Sequence, residues 1–249
     1  MAEPKNPIFE FRFKDFSSAN SIAQEMNTAA NLAFQSETWL TRQNEILMEA
    51  LRGNFKRLTH LPFIASTLDI KKIIDFGGGS GWVFATLGDP IKDRIEKYQV
   101  IENNEMCKFF ATKFSNEKIS FSTVDSIKKN HLFDNTDILY LNSVMQYFEN
   151  QEYFNLVVDS YSPEYILIDD LVVSPAEEFF SLQEYYGNKI PYRFSDINEI
   201  RSSLSERRYT ELVNIQYGIN IDFDFEFKIK GHEEIIIPSS RTLLYKKSQ

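Results

Sequence analysis

The stretch Lys72-Ile-Ile-Asp-Phe-Gly-Gly-Gly-Ser-Gly-Trp82 runs from a short β-rich segment straight into a glycine cluster. Four of the nine glycines fall within the five residues 77–81, more than a turn that only packs a strand on a helix requires. Glycine at 77, 79 and 81 lets the backbone turn with positive φ and lets a ligand approach main-chain N–H groups with no Cβ in the way. Such a loop, placed after a strand, reads as a nucleotide cradle. The spacing narrows the nucleotide. Counting G-x-G-x-x-G from Gly77 or Gly79 puts Trp82 or Phe84 at the third glycine, and no G-K-[ST] follows, so a dinucleotide fingerprint and a P-loop are both disfavoured.

Outward from this loop, short β-rich runs recur at Lys72–Phe76, Tyr98–Ile101, Ile119–Val124, Asp137–Leu141 and Tyr165–Ile168, about twenty to thirty residues apart. Continuous apolar runs at that interval predict βαβ units and a parallel sheet buried on both faces. Beyond Pro191 a helical stretch, Ser195–Arg207, leads to strands at Thr210–Gln216 and Arg241–Tyr245. No helix long enough for a crossover separates those two, which predicts an antiparallel pair. The first seventy residues differ. Ser17 to Arg52 reads as two amphipathic helices joined at Ser36–Glu37, with Gly53 as C-cap. The expected architecture is therefore α/β and Rossmann-like: a seven-stranded, mostly parallel sheet with an antiparallel C-terminal strand, preceded by an N-terminal helical cap. The expected division is 1–62 for the cap and 63–249 for the core.

Composition sets the outer bounds. With 249 residues, 43% apolar, 22 Phe and 12 Tyr, one large core is affordable. A net charge of -9 argues against a nucleic-acid partner, whose phosphates need cations. The single cysteine, Cys107, excludes a disulfide framework and a Cys-rich zinc site and suits a cytoplasmic location. The N-terminus has acids and a proline where a signal peptide would be basic and then apolar. The longest uncharged apolar run, Ile138–Phe148, is 11 residues, too short for the roughly 20 that cross a bilayer. No membrane insertion is expected, and the oligomeric state, a homodimer included, stays open.

The pattern Asp75-x-Gly77-x-Gly79-x-Gly81 resembles the first motif of class I S-adenosylmethionine-dependent methyltransferases. The resemblance implies S-adenosylmethionine as cofactor, with Asp75, Gly77, Gly78, Gly79 and Gly81 forming its loop. Glu102, ending the next strand, matches the family's ribose-binding acid. Asp125 and Ser126, ending the third, match its adenine-side position, although a surface turn explains Asp125 equally well. Asn142 and Ser143, ending the fourth, would lie under the methionine half. A narrower resemblance, to methyltransferases found with bacterial capsule and O-antigen genes, rests on Asp15-Phe-Ser-Ser-Ala-Asn-Ser21, Asp75-Phe-Gly-Gly-Gly79, Ser143-Val-Met-Gln-Tyr147, Leu182-Gln183 and Pro191-Tyr-Arg-Phe194. It implies an acceptor that is a precursor of a surface polysaccharide, a sugar or nucleotide-linked compound methylated on a hydroxyl or on a phosphoryl or phosphoramidate oxygen. One departure stands out: after the fifth strand an Asp-Arg pair is expected, and this chain has Asp169-Asp170.

For chemistry at the acceptor, Asp169, Asp170 and His131 are the candidate bases, with a loop histidine as the bland reading of His131. The adjacent acids could also hold Mg²⁺, but Asn142 stands where a further carboxylate would complete an oxygen cage, and the three histidines have no zinc spacing, so no metal is assigned. Gln146, Tyr147, Gln183, Tyr192 and Arg193 are the candidate acceptor-binding residues, Arg193 as an anion clamp. Trp39 and Arg42 fall on or near a helix face that could close as a lid or merely pack for stability. Two other functions compete. Tyr185-x-x-x-Lys189 matches the short-chain dehydrogenase spacing, but Gly187 and Pro191 would break the helix that pair needs. The missing arginine keeps a non-catalytic, methyltransferase-like binding subunit in play.

Overall fold

A computed structural model describes residues 9–27, 30–54, 59–127, 136–174, 176–217, 227–230, 232–237 and 240–248. Its centre is a seven-stranded sheet with β4 (Ile119–Thr123), β3 (Lys97–Glu102), β2 (Lys72–Phe76), β5 (Ile138–Asn142), β6 (Tyr165–Val172), β12 (Ser240–Lys247) and β9 (Tyr209–Tyr217) in that spatial order. The first five are parallel, and β12 inserts antiparallel between β6 and β9. All five strands expected from the apolar runs are present, and the two C-terminal ones, β9 and β12, pair antiparallel as expected.

Both faces of this sheet are covered, which is why its central strands are apolar without alternation. On one face α2 (Glu37–Leu51), α3 (Leu61–Thr67), α4 (Trp82–Thr86), α5 (Asp89–Arg94) and α6 (Asn104–Phe114) bring Trp39, Leu47, Leu61, Trp82 and Phe110 onto Ile73, Tyr98 and Tyr140. On the other, α8 (Gln151–Tyr161) and α9 (Ile197–Glu206) bring Phe154, Val158, Ile200 and Leu204 onto Ile74, Leu139 and Ile168. A short helix, α7 (Val124–Ile127), follows β4 directly. The first two helices begin at side-chain caps. Asp15 accepts from the N–H of Ser18 at 2.8 Å to start α1 (Phe16–Met26), and Ser36 accepts from Trp39 at 3.2 Å to start α2. Gly53 follows α2 with φ 72°, the left-handed position that ends many helices.

A second sheet was not expected from the sequence. It orders β11 (His232–Ile237), β10 (Phe227–Lys230), β1 (Phe9–Phe13), β7 (Phe179–Tyr185) and β8 (Asn188–Phe194). The chain's N-terminal strand thus pairs antiparallel with a hairpin that follows β6, Phe9 opposite Gln183 and Phe13 opposite Phe180. Helix α1 covers one face through Ala19 and Ala23 against Phe180 and Leu182. The other face packs Phe179, Tyr192 and Phe194 with Val172, joining this sheet to the end of β6. Tyr185 and Lys189 sit on the two opposite strands of the hairpin, so they share no helix of the dehydrogenase kind. Among the described residues no helix is long and apolar enough to cross a membrane.

Candidate active site

The C-terminal ends of β2, β3, β5 and β6 face the second sheet across a cavity of about 570 Å³, within the usual size range of small-molecule sites. The glycine loop forms its floor. Gly77, Gly79 and Gly81 have φ of 70°, 59° and 74°, conformations that cost an L-residue roughly 1 to 2 kcal/mol each. Space is as restrictive as torsion. A Cβ on Gly78 would overlap the Asp75 carboxyl, one on Gly77 would overlap Val144, and one on Gly79 would come 2.5 Å from Gln43 Oε1.

Asp75 ends β2 beneath this loop and is fully buried. It accepts a 2.6 Å hydrogen bond from the Tyr98 hydroxyl, while its Oδ1 has no partner in the protein. Burial pushes its carboxyl up to about 7, against the lowering effect of the Tyr98 bond. Glu102 ends β3 beside the loop. Its Oε1 accepts from the Gly79 N–H at 3.2 Å, and its Oε2 accepts from the Asn103 N–H at 2.9 Å and from Asn103 Nδ2 at 3.2 Å. Burial raises this carboxyl too, partly offset by the two backbone donors. From α2, buried Gln43 accepts from the Ser80 N–H at 3.1 Å, so α2 lies against the loop.

The opposite wall holds Asn142, Ser143 and Asp170. Ser143 and Asp170 have φ of 52° and 55°, two left-handed non-glycine residues, one just past β5 and the other within the neighbouring β6. Such outliers cost on the order of 1 to 3 kcal/mol each and persist only where the surroundings fix them. Here the Ser143 hydroxyl donates to Asp170 Oδ2 and the Ser240 hydroxyl donates to Oδ1 at 2.7 Å. Over them lie rings from three separate segments. Tyr147 stands against Tyr192 at 5.7 Å and Phe34 at 4.9 Å between centroids, and Trp39 against Tyr185 at 5.3 Å. The Tyr147 hydroxyl donates to Gln183 Oε1 at 3.0 Å. Gln146 is buried, lines the cavity and leaves Oε1 without a partner.

Of the residues singled out in the sequence, Asp75, Gly77, Gly78, Gly79, Glu102, Asn142, Ser143, Gln146, Tyr147, Asp170, Gln183 and Tyr192 line this one cavity. Others lie elsewhere. Gly81 starts α4 and its Cβ direction meets Ile119 and Phe121 instead. Asp125 is exposed on α7 and is not part of the lining, where Val124 stands; the side chain of Ser126 lies outside the described residues. Asp169 points the other way along β6. It accepts from the His60 N–H at 2.8 Å and from Thr242 Oγ1 at 2.6 Å, and its carboxylate meets His60 Nδ1 at 2.8 Å. Burial opposes ionisation there, but the bonds from His60 and Thr242 outweigh it and hold Asp169 below the usual carboxylate range; the same contact raises His60. This cluster ties the start of α3 to the sheet. Arg193 is not a clamp for a ligand in this cavity. Strand alternation turns Tyr192 toward the cavity and Arg193 to the opposite face, where it is 1% exposed and bonds Glu178 at 2.6 Å. Arg42 pairs with Glu45 on the exposed side of α2. His131 lies outside the described residues, which contain no cluster of three or more potential metal ligands.

The sequence reasoning passed over Gln43, Asn103 and Tyr153, all in the lining. Gln43 carried a signal: it follows Trp39 by four residues and precedes Leu47 by four, a polar residue in the buried stripe of α2.

No sequence-family model matches the chain, and no characterised protein matches it in sequence. Solved structures do match it in shape. One is an S-adenosylmethionine-dependent methyltransferase from Mesorhizobium loti, 13% identical with a TM-score of 0.51, covering 76% of this chain and 97% of that one. Another is such a methyltransferase from Methanosarcina mazei, 11% identical with a TM-score of 0.53, covering 77% and 99%. A third, TnmH, is 12% identical with a TM-score of 0.54, covering 92% of this chain and 64% of its own. The fold is that of class I S-adenosylmethionine-dependent methyltransferases. In that fold the cavity occupies the crevice outside the carboxyl ends of the parallel strands, where ligands of open α/β sheets bind.

Proposed function

We propose that this protein is an S-adenosylmethionine-dependent O-methyltransferase with a small-molecule acceptor. The observation that carries the reading is Glu102: a carboxylate at the end of β3, next to a left-handed glycine loop, at the floor of a cavity of sufficient size. The residues fit the cofactor. The loop leaves no room for a Cβ at Gly78, Asp75 Oδ1 is a buried acceptor with nothing in the protein to bond, and Glu102 stands where two ribose hydroxyls could donate to it. Glu102 would hold the ribose, Asp75 with Gly77 to Gly79 the methionine half, and Asn142 and Ser143 the region of the sulfur. When bound, S-adenosylmethionine supplies an electrophilic methyl group on a sulfonium centre.

The protein's own contribution is positioning, which in well-oriented reactions supplies up to roughly 7 to 11 kcal/mol. Gln146, Tyr147, Gln183 and Tyr192 would orient the acceptor, and Asp170 would accept or steer the hydroxyl proton. The segment 1–62 would close the cavity as a cap over a 63–249 core, since Trp39 and Gln43 of α2 reach its wall. The expected acceptor is the hydroxyl of a surface-polysaccharide precursor, with a phosphoryl or phosphoramidate oxygen as the other acceptor that the capsule-gene resemblance implies.

A thermal-shift panel tests this. A ligand at 100 times its dissociation constant adds about 2.7 kcal/mol of stability, roughly 5 to 10 °C for a chain of this size. S-adenosylhomocysteine should give that shift and NAD(P) none. No response to S-adenosylhomocysteine, or a response to NAD(P) alone, refutes the reading.

A further inference from the structure

The far half of the cavity has a chemical bias of its own. Gln146 Oε1 is a buried acceptor with no partner, an unfavourable state that a bound molecule donating to it would relieve. Asp170 adds a carboxylate to the same wall, held in place by Ser143 and Ser240. The turn that carries Gln146 packs on both β6 and β8, so this amide, Asp170 and Tyr192 border one space. Tyr147, Tyr185 and Tyr192 contribute rings, whose faces are electron-rich and attract positive charge and polarised C–H groups. Among the described residues no Lys, Arg or His lines the cavity. Acceptors, a carboxylate and π-faces all favour a partner that donates hydrogen bonds and carries no negative charge.

We infer that the part of the methyl acceptor lodged here is a neutral or cationic ring bearing O–H or N–H donors, recognised by Gln146 Oε1 and Asp170, and not a phosphoryl or carboxylate group. The inference rests on the methyltransferase reading and selects within it, ranking a hydroxyl or amino ring above a phosphoryl oxygen as the reacting end.

Matched probes test it on the full chain saturated with S-adenosylhomocysteine. Tyramine and 4-hydroxyphenylacetate differ chiefly in the sign of their charge; methyl glucoside and glucose 6-phosphate differ chiefly by the phosphate. Calorimetry and ligand-observed NMR should show the neutral or cationic member of at least one pair binding at least tenfold more tightly than its anionic partner. Gln146→Leu should weaken that binding about tenfold while changing the S-adenosylhomocysteine dissociation constant less than twofold; Gln146→Glu should sharpen the preference for tyramine. Equal or tighter binding of the anions, binding by no probe, or Gln146 variants that fold and leave probe affinities unchanged would overturn the inference. Absence of S-adenosylhomocysteine binding would overturn the methyltransferase reading instead, so the two failures are separable.

Discussion

Glu102→Ala isolates the group on which cofactor recognition turns. A hydrogen bond to a charged group contributes about 1.5 to 3 kcal/mol, so two ribose hydroxyls on this carboxylate amount to roughly 3 to 6 kcal/mol. Part of that is exchange, because in the free protein Glu102 already accepts from Gly79, Asn103 N and Asn103 Nδ2 at 2.9 to 3.2 Å. If about half survives the exchange, the variant loses roughly 1.5 to 3 kcal/mol, a rise of about tenfold to over a hundredfold in Kd. Titration calorimetry with S-adenosylhomocysteine reads it directly, with far-UV circular dichroism to show that the variant is folded. A pH arm adds a signature. Burial raises the Glu102 pKa, so the wild type should lose affinity on acidification sooner than an ordinary glutamate would dictate, and the alanine variant should lack that dependence. A folded variant whose Kd lies within threefold of wild type would refute the placement of the ribose.

Two further perturbations probe the loop. Asp75 has a folded pKa raised to about 7 from 3.8, so its contribution to stability is full below about 4 and is lost as pH rises toward 7. Asp75→Asn should therefore gain on wild type between pH 5 and 8, on the order of 2 to 3 kcal/mol by urea denaturation; an equal difference at both pH values would contradict the buried, proton-holding carboxyl. Gly78→Ala should force Asp75 off Tyr98 and strand a buried hydroxyl, lowering stability by about 2 kcal/mol or more, and an unchanged denaturation midpoint would contradict the packing.

The central sheet was legible because its strands are buried on both faces. Ile73-Ile74, Ile138 to Leu141 and Tyr165 to Ile168 are continuous apolar runs, and the glycines after Phe76 marked where the sheet turns into the site. The second sheet was not legible. β1 is five residues long and finds β7 about 170 positions later, a pairing that no local pattern announces. The hairpin turn hides its own signal, since Tyr186 takes the φ of 48° where Asn or Asp would flag such a turn ahead of Gly187. That same hairpin decides which of two neighbours meets the cavity. In the sequence Tyr192 and Arg193 are equivalent candidates; on β8, neighbours face opposite sides and only one meets the cavity. Asp169 and Asp170 divide likewise, and the partners that claim Asp169, His60 and Thr242, come from distant segments.

The most direct test is a crystal structure of the protein grown with saturating S-adenosylhomocysteine. Density for the ligand between the glycine loop and Asn142–Ser143, with its ribose hydroxyls on Glu102 and its sulfur facing Asp170 and the tyrosine wall, is the predicted result. Ligand bound elsewhere on the surface, or a cavity that stays without it at saturation, would contradict the account.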